Sequence, residues 1–120
     1  MTAPERSAEQ RADALAAALA ARRARADLRT ALKERRVPGI AVLEGAADNP
    51  VWAGVRVSWL LECLPGVGRV RAERIMAELG IASSRRLQGL GDHQRAALRA
   101  YLDGRENGSR RRAAVDEAAT

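Results

Sequence analysis

The sequence predicts an all-α fold, a long N-terminal helix followed by a compact helical domain. Two observations carry this. Residues 8–36 contain neither glycine nor proline and are rich in alanine, leucine and arginine, all strong helix formers. Further on, apolar residues recur at helical spacing between Gly and Pro stops, as in Ala72, Ile75, Met76 and Leu79, and again in Ala97, Leu98, Tyr101 and Leu102. With 120 residues, one folded domain is expected. The expected organisation is a flexible N-terminus over 1–6, a long basic helix or arm over 7–36, a helical domain over 37–103 and a disordered basic tail over 104–120.

Taken in order, Ser7-Ala8-Glu9-Gln10 predicts a capping box, with Ser7 as N-cap and Gln10 reaching back. In the long helix that follows, Ala21, Ala24, Leu28 and Leu32 share one stripe, so its C-terminal half has a face to bury. Leu15 and Leu19 lie on another side, and the N-terminal half is expected to project. Arg22, Arg25, Arg29, Lys33 and Arg36 form the adjacent basic stripe. It reads either as a secondary contact for DNA phosphates or as a solvated helix face.

Val37-Pro38-Gly39 breaks the helix. A short helix is expected over about Ile40–Ala47, then a turn at Asp48-Asn49-Pro50 and a weak helix over Val51–Gly54. Ser58 is expected to cap a helix over Trp59–Leu64, which Pro65 closes. Trp52 and Trp59 read as core residues in a chain without phenylalanine, and Cys63 among leucines reads as a small buried apolar residue.

Gly66 and Gly68 let the backbone turn tightly on either side of Val67, an apolar plug, and a new helix begins at about Arg69. Gly80 is placed to end it in a left-handed cap. A helix start behind such a turn presents free N–H groups to an anion, with Arg69, Arg71 and Arg74 beside it. Leu87 and Leu90 then anchor a two-turn connection. On it, the adjacent Arg85 and Arg86 must point in different directions, which suits two phosphates. Asp92 is expected to cap a helix through about Leu102, ending at Asp103-Gly104; Arg95 and Arg99 share one of its faces, and Arg95 is a further secondary contact. Beyond it, Arg105–Thr120 lacks a large apolar face and is expected to be disordered, or at best weakly helical over Arg110–Ala118.

The charge balance narrows the partner. Lys and Arg number 21 against 15 Asp and Glu, a net charge of +6 with a pI near 11.1, and Lys33 is the only lysine. A polyanion is the expected partner, nucleic acid ahead of an acidic membrane. The only aromatic residues are Trp52, Trp59 and Tyr101, which argues against base stacking as the main binding mode. One cysteine and one histidine, His93, leave no disulfide, no cysteine-cluster zinc site and no nucleophile–base pair. No enzyme activity, metal or cofactor is expected. No apolar run reaches transmembrane length and no signal-peptide core is present, so a cytoplasmic protein is expected.

Three passages carry a resemblance: Val57–Val70 with its Leu64-Pro65-Gly66-Val67-Gly68 turn, Ala72–Ala82, and Arg85-Arg86-Leu87-Gln88-Gly89-Leu90-Gly91-Asp92 running on to Leu98. Over these the chain resembles actinobacterial integration host factor, a family of small nucleoid-associated proteins, and its long leading helix is similar too. The resemblance implies a helix-two-turn-helix module that binds double-stranded DNA with little sequence preference, bends or compacts it, and serves in some members as a host cofactor for phage integration. It implies DNA contacts at Gly66, Val67, Gly68, Arg69 and Arg71 in the first turn and at Arg85, Arg86 and Gln88 in the second, Gln88 standing where an arginine is expected. Expected partners are duplex DNA in the nucleoid and phage integrase complexes, with the protein itself a monomer. The same turn pattern is similar to the small-subunit ribosomal protein that carries this module, which makes RNA binding the alternative reading.

Overall fold

A computed structural model describes residues 7–119 of the chain, with side chains defined through residue 106. The flexible stretch expected over 1–6 lies outside the described residues. Six α-helices follow in order among them: α1 (Ala8–Lys33), α2 (Gly39–Gly45), α3 (Pro50–Ala53), α4 (Val57–Cys63), α5 (Arg69–Leu79) and α6 (Asp92–Ala119). No strand forms among the described residues; a single antiparallel bridge joins Arg56 to Arg86.

α1 opens with the expected capping box. The Gln10 N–H donates to Ser7 Oγ at 3.1 Å, and the Ser7 N–H donates to Gln10 Oε1 at 2.9 Å. Only the second half of the helix is buried, through Leu28, Ala31 and Leu32, while Leu15 and Leu19 remain 62% and 45% exposed. The helix ends at Lys33 rather than Arg36 because the chain turns left-handed at Arg35, where φ is +60°. The Arg36 N–H reaches the Ala31 carbonyl at 2.8 Å and the Arg35 N–H reaches Leu32 at 3.2 Å, the paired bonds of a Schellman ending. Glycine normally holds that position; Arg35 is the only described non-glycine residue with positive φ.

The core gathers the inward faces of all but the shortest helix. Leu32 from α1, Val42 and Leu43 from α2, Val57, Leu60 and Leu61 from α4, Leu87 from the second turn, and Leu98 and Leu102 from α6 are each at most 1% exposed. Trp52 and Trp59, expected in the core, instead pack against its outside and stay half-buried. A Cβ on Gly45 would stand 2.6 Å from the Trp52 ring, so glycine there is required by the indole. Cys63 is 1% exposed, and burial pushes its thiol up to about 11 against the nearby Arg29 and Lys33 charges. The packed form is therefore the neutral thiol. Its contribution is complete below the ordinary value of 9.0 and is lost as the pH climbs toward about 11.

Three local expectations are corrected. α4 starts at Val57, with Arg56 rather than Ser58 in the capping position, because Arg56 is held extended by its bridge to Arg86. Asp92 is the first residue of α6 and not its cap; the Gly91 N–H is satisfied by Gln94 Oε1 at 3.2 Å. Most important, α6 does not stop at Asp103-Gly104 but continues helical to Ala119, where a disordered tail is expected. A helical glycine costs about 1 kcal/mol. Two anchors just beyond it oppose that cost. Arg105 donates to the Pro65 carbonyl, and Glu106 accepts the Ile40 N–H at 3.2 Å, capping an α2 start that has no side-chain cap of its own.

The strained end of α1 yields a stability test. Arg35→Gly should raise the unfolding free energy by roughly 0.5–1 kcal/mol, because a side chain in the left-handed region costs about 1–2 kcal/mol and glycine returns part of that gain as chain entropy. Denaturant unfolding of the two chains measures it, and an unchanged or lower midpoint refutes it.

Candidate nucleic-acid interface

The first turn follows from two residues. Pro65 presets its own φ, and Gly66 takes φ of +77°, so Leu64-Pro65-Gly66-Val67 closes as a type II turn with the Val67 N–H on the Leu64 carbonyl at 3.2 Å. Leu64 and Val67, each 3% exposed, pin it to the core from both ends. Gly68 then leads into α5 in extended conformation and offers no side chain to cap it. The first N–H groups of the helix therefore face outward unspent, with no acidic residue in the first turn. Arg69, Arg71 and Arg74 are exposed around them. Arg69 Nε lies 3.5 Å from Glu73 Oε1, a solvated pair that holds the guanidinium only weakly.

The second turn is fastened to the start of α4 by two backbone bonds. The Val57 N–H donates to the Arg85 carbonyl and the Leu87 N–H to the Val55 carbonyl, each at 3.0 Å. Leu87, fully buried, plugs the one-turn 3-10 helix Leu87–Gly89 into the core and leaves Gln88 exposed on it. Arg85 and Arg86 diverge as expected. Arg85 Nη1 donates to the Gly89 carbonyl at 3.0 Å, while Arg86 Nη1 donates to the Gly54 carbonyl. Each carbonyl orients its exposed guanidinium and leaves most of its N–H donors available.

The arm contributes selectively. Arg25 and Arg29 from α1 meet Arg86 and Arg56 around an open recess of about 500 Å³, with Trp59, Val55 and Gly54 in its wall. Arg22, one turn further out, is exposed but does not line this recess. Lys33 is spent otherwise: its Nζ donates to the Glu62 carbonyl at 2.8 Å and ties the arm to α4. Arg95 is corrected more sharply. It is half-buried, and its guanidinium spans the Leu43 and Leu87 carbonyls at 3.5 Å each, so it braces α6 against α2 and the second turn instead of facing a ligand.

Arg56 is the functional candidate that sequence reasoning missed. The signal was the Val55-Arg56-Val57 alternation: with both valines buried, at 4% and 0% exposed, the residue between them must point outward. Arg56 also borders a second hollow shared with Arg69, Ser83 and Ser84. Glu62 and Glu73 line that hollow too, so the basic surface runs unbroken only from Arg56 to the arm, and two carboxylates stand between Arg56 and the start of α5. Among the described residues no cluster of His, Cys, Asp or Glu is arranged to hold a metal, and no helix is long and apolar enough to cross a membrane.

The family described as the S13-like H2TH domain matches residues 32–102. The chain is 52% identical over 98 residues to the integration host factor of Mycobacterium tuberculosis, covering 82% of this chain and 93% of that one. It is 48% identical over 98 residues to the integration host factor of Streptomyces coelicolor, covering 82% and 92%. A solved structure described as sIHF bound to an 8bp palindromic DNA superposes with a TM-score of 0.67 at 46% identity, covering 71% of this chain and 96% of that one.

The link from α6 to the first turn can be checked directly. Arg105→Ala removes the donor to the Pro65 carbonyl. The Val67 amide should then exchange with solvent about tenfold faster, since losing a charged hydrogen bond opens the turn locally by roughly 1.5 kcal/mol. Hydrogen exchange at unchanged rate would show that the turn holds itself.

Proposed function

The chain belongs to the integration host factor family of actinobacteria, and we propose that it is an architectural, non-catalytic DNA-binding protein of the nucleoid. It grips the backbone of double-stranded DNA with little sequence preference, bends and compacts it, and assists complexes such as those of phage integrases. One observation carries this reading: the two turns are locked to one another through α4 and expose, side by side, an uncapped helix start and the paired Arg85 and Arg86.

The mechanism is electrostatic. Backbone amides of Arg69, Val70 and Arg71, together with the Arg69 and Arg71 side chains, take one run of phosphates beside Gly66, Val67 and Gly68. Arg85 and Arg86 take phosphates across the groove, with Gln88 as a neutral neighbour, and Arg25 and Arg29 extend the contact along the arm. Each neutralised phosphate releases condensed counterions, which supplies the free energy and makes it salt-dependent. Preferences among sequences then arise from deformability, as at flexible pyrimidine–purine steps, rather than from base hydrogen bonds.

A gel-shift titration across salt on unrelated duplexes tests the reading. With about 4 to 6 phosphates engaged, log affinity should fall against log salt with a slope of roughly −4 to −5, alike for all duplexes. Arg85→Ala with Arg86→Ala should weaken every duplex similarly and flatten the slope by about 2. A preference for duplex RNA over DNA in the same assay would favour the ribosomal-protein reading instead. Glu73→Gln releases Arg69 from its weak partner and should tighten DNA binding about twofold to fivefold at low salt, fading as salt rises.

A further inference from the structure

We propose that the exposed leucine stripe on the outer half of α1 is a pairing face for the arm of a second copy of this chain, laid antiparallel, and that duplex DNA drives the pairing. The part played by DNA rests on the DNA-binding reading above; the pairing itself does not.

α1 carries three faces. Leu28, Ala31 and Leu32 dock its inner end on the core, and Arg22, Arg25 and Arg29 form the basic stripe. At about 100° per residue, Ala8, Ala12, Leu15, Leu19 and Ala26 line a third face, on the far side of the helix from the docked one. The first four step by four, three and four residues, and Ala26 falls one heptad beyond Leu19, the repeat by which one helix seats along another. Leu15 and Leu19 are two of only three large apolar side chains left exposed among the described residues. Every residue over 8–20 is exposed, so this half of the helix stands without the packing that supports most helices. A second arm on the leucine face supplies it, and leaves both the docked face and the basic stripe uncovered.

Charge selects the direction of the partner. The outer half, residues 8–17, holds Glu9, Arg11 and Asp13, while the inner half, residues 18–26, holds Arg22, Arg23 and Arg25. Parallel arms would stack the two arginine-rich ends together. Antiparallel arms, crossing between Leu15 and Leu19, set each such end beside the half that carries the carboxylates. Ala16 and Ala18 flank the crossing and let the helix axes approach to about 8 Å. The match is incomplete, since Arg11 falls near the other arm's Arg25 and each paired segment stays positive. That repulsion, with two leucines per arm to bury, keeps the free chain monomeric at low concentration. A duplex on the basic stripe neutralises Arg22, Arg25 and Arg29 and lifts the repulsion. The two-fold axis of an antiparallel pair brings the same flank of each helix to one side, so both basic stripes face one way. Copies bound to one duplex then meet at an effective concentration of roughly millimolar.

The test is site-directed cross-linking of the full chain. Cys63 is 1% exposed and stays unreactive, so an engineered thiol on the arm reports alone. A chain with Ala8→Cys is mixed with one carrying Ala26→Cys and treated with a short bismaleimide. The antiparallel pair puts these two positions side by side, so the mixed product should exceed the Ala26→Cys self-link, and a duplex long enough for several copies should raise it about tenfold. Leu15→Ala with Leu19→Ala alters only exposed side chains. It should remove the mixed product and the cooperativity of binding along a long duplex, while affinity for a duplex that holds one copy stays as in wild type. Self-linking of Ala26→Cys in place of the mixed product overturns the antiparallel arrangement. A mixed product that survives the double alanine variant, or that Ala17→Cys on the docked side gives equally in place of Ala8→Cys, is collision and ends the proposal. If no cross-link forms and the double variant instead loses binding to anionic vesicles, the face belongs to a membrane surface and the proposal falls. Duplex binding without any mixed product sinks the pairing and spares the DNA-binding reading. A mixed product from protein that binds no duplex sinks that reading and keeps the pairing.

Discussion

The basic groups of the second turn depend on two backbone hydrogen bonds, from Val57 to the Arg85 carbonyl and from Leu87 to the Val55 carbonyl. They fasten a connection with little regular structure to the start of a helix. Without them, residues 82–91 would be a loop whose arginines sample many positions, and each contact with a ligand would carry the entropy of ordering it. With them, Arg85 and Arg86 are aimed by their own backbone and Arg56 is held outward between two buried valines. The same pair of bonds explains why Leu87, on a short 3-10 turn, is among the most deeply buried residues in the chain. It is the apolar plug beneath the only ladder-like pairing among the described residues.

The two turns solve one problem in different ways. A ligand with a charged rail needs donors that do not move, on a surface that does not repel its approach. The first turn achieves this with a left-handed glycine, a proline and an uncapped helix, so its donors are backbone amides with no side-chain freedom to lose. The second uses long side chains and removes their freedom by tying each guanidinium to a carbonyl. The arm adds charge near both without adding a constraint, since only its last turns are packed.

Much of this was legible from residue order. The capping box at Ser7, the Pro65-Gly66 turn, the Val67 plug, the left-handed Gly80 and the burial of Leu87 each follow from local chemistry that tertiary packing did not override. What escaped the sequence depended on partners distant along the chain. Arg95 looked like an exposed helix arginine because nothing local announces the Leu43 and Leu87 carbonyls it spans. Lys33 looked free because Glu62 lies 29 residues away. Gly104 looked like a stop because the two anchors that carry the helix past it, Pro65 and Ile40, belong to other elements. The alternation around Arg56 was visible but too short to weigh against the helices on either side of it.

The passage of α6 through Gly104 makes the spacing of its residues a fixed dimension of the molecule. Leu98 and Leu102 are seated in the core, while Arg105 and Glu106 reach two different neighbours from the same helix. One residue inserted or deleted between Leu102 and Arg105 would rotate everything beyond it by about 100°. Both anchors would swing off their acceptors at once. That short span can therefore drift in side-chain identity over generations, but hardly in length.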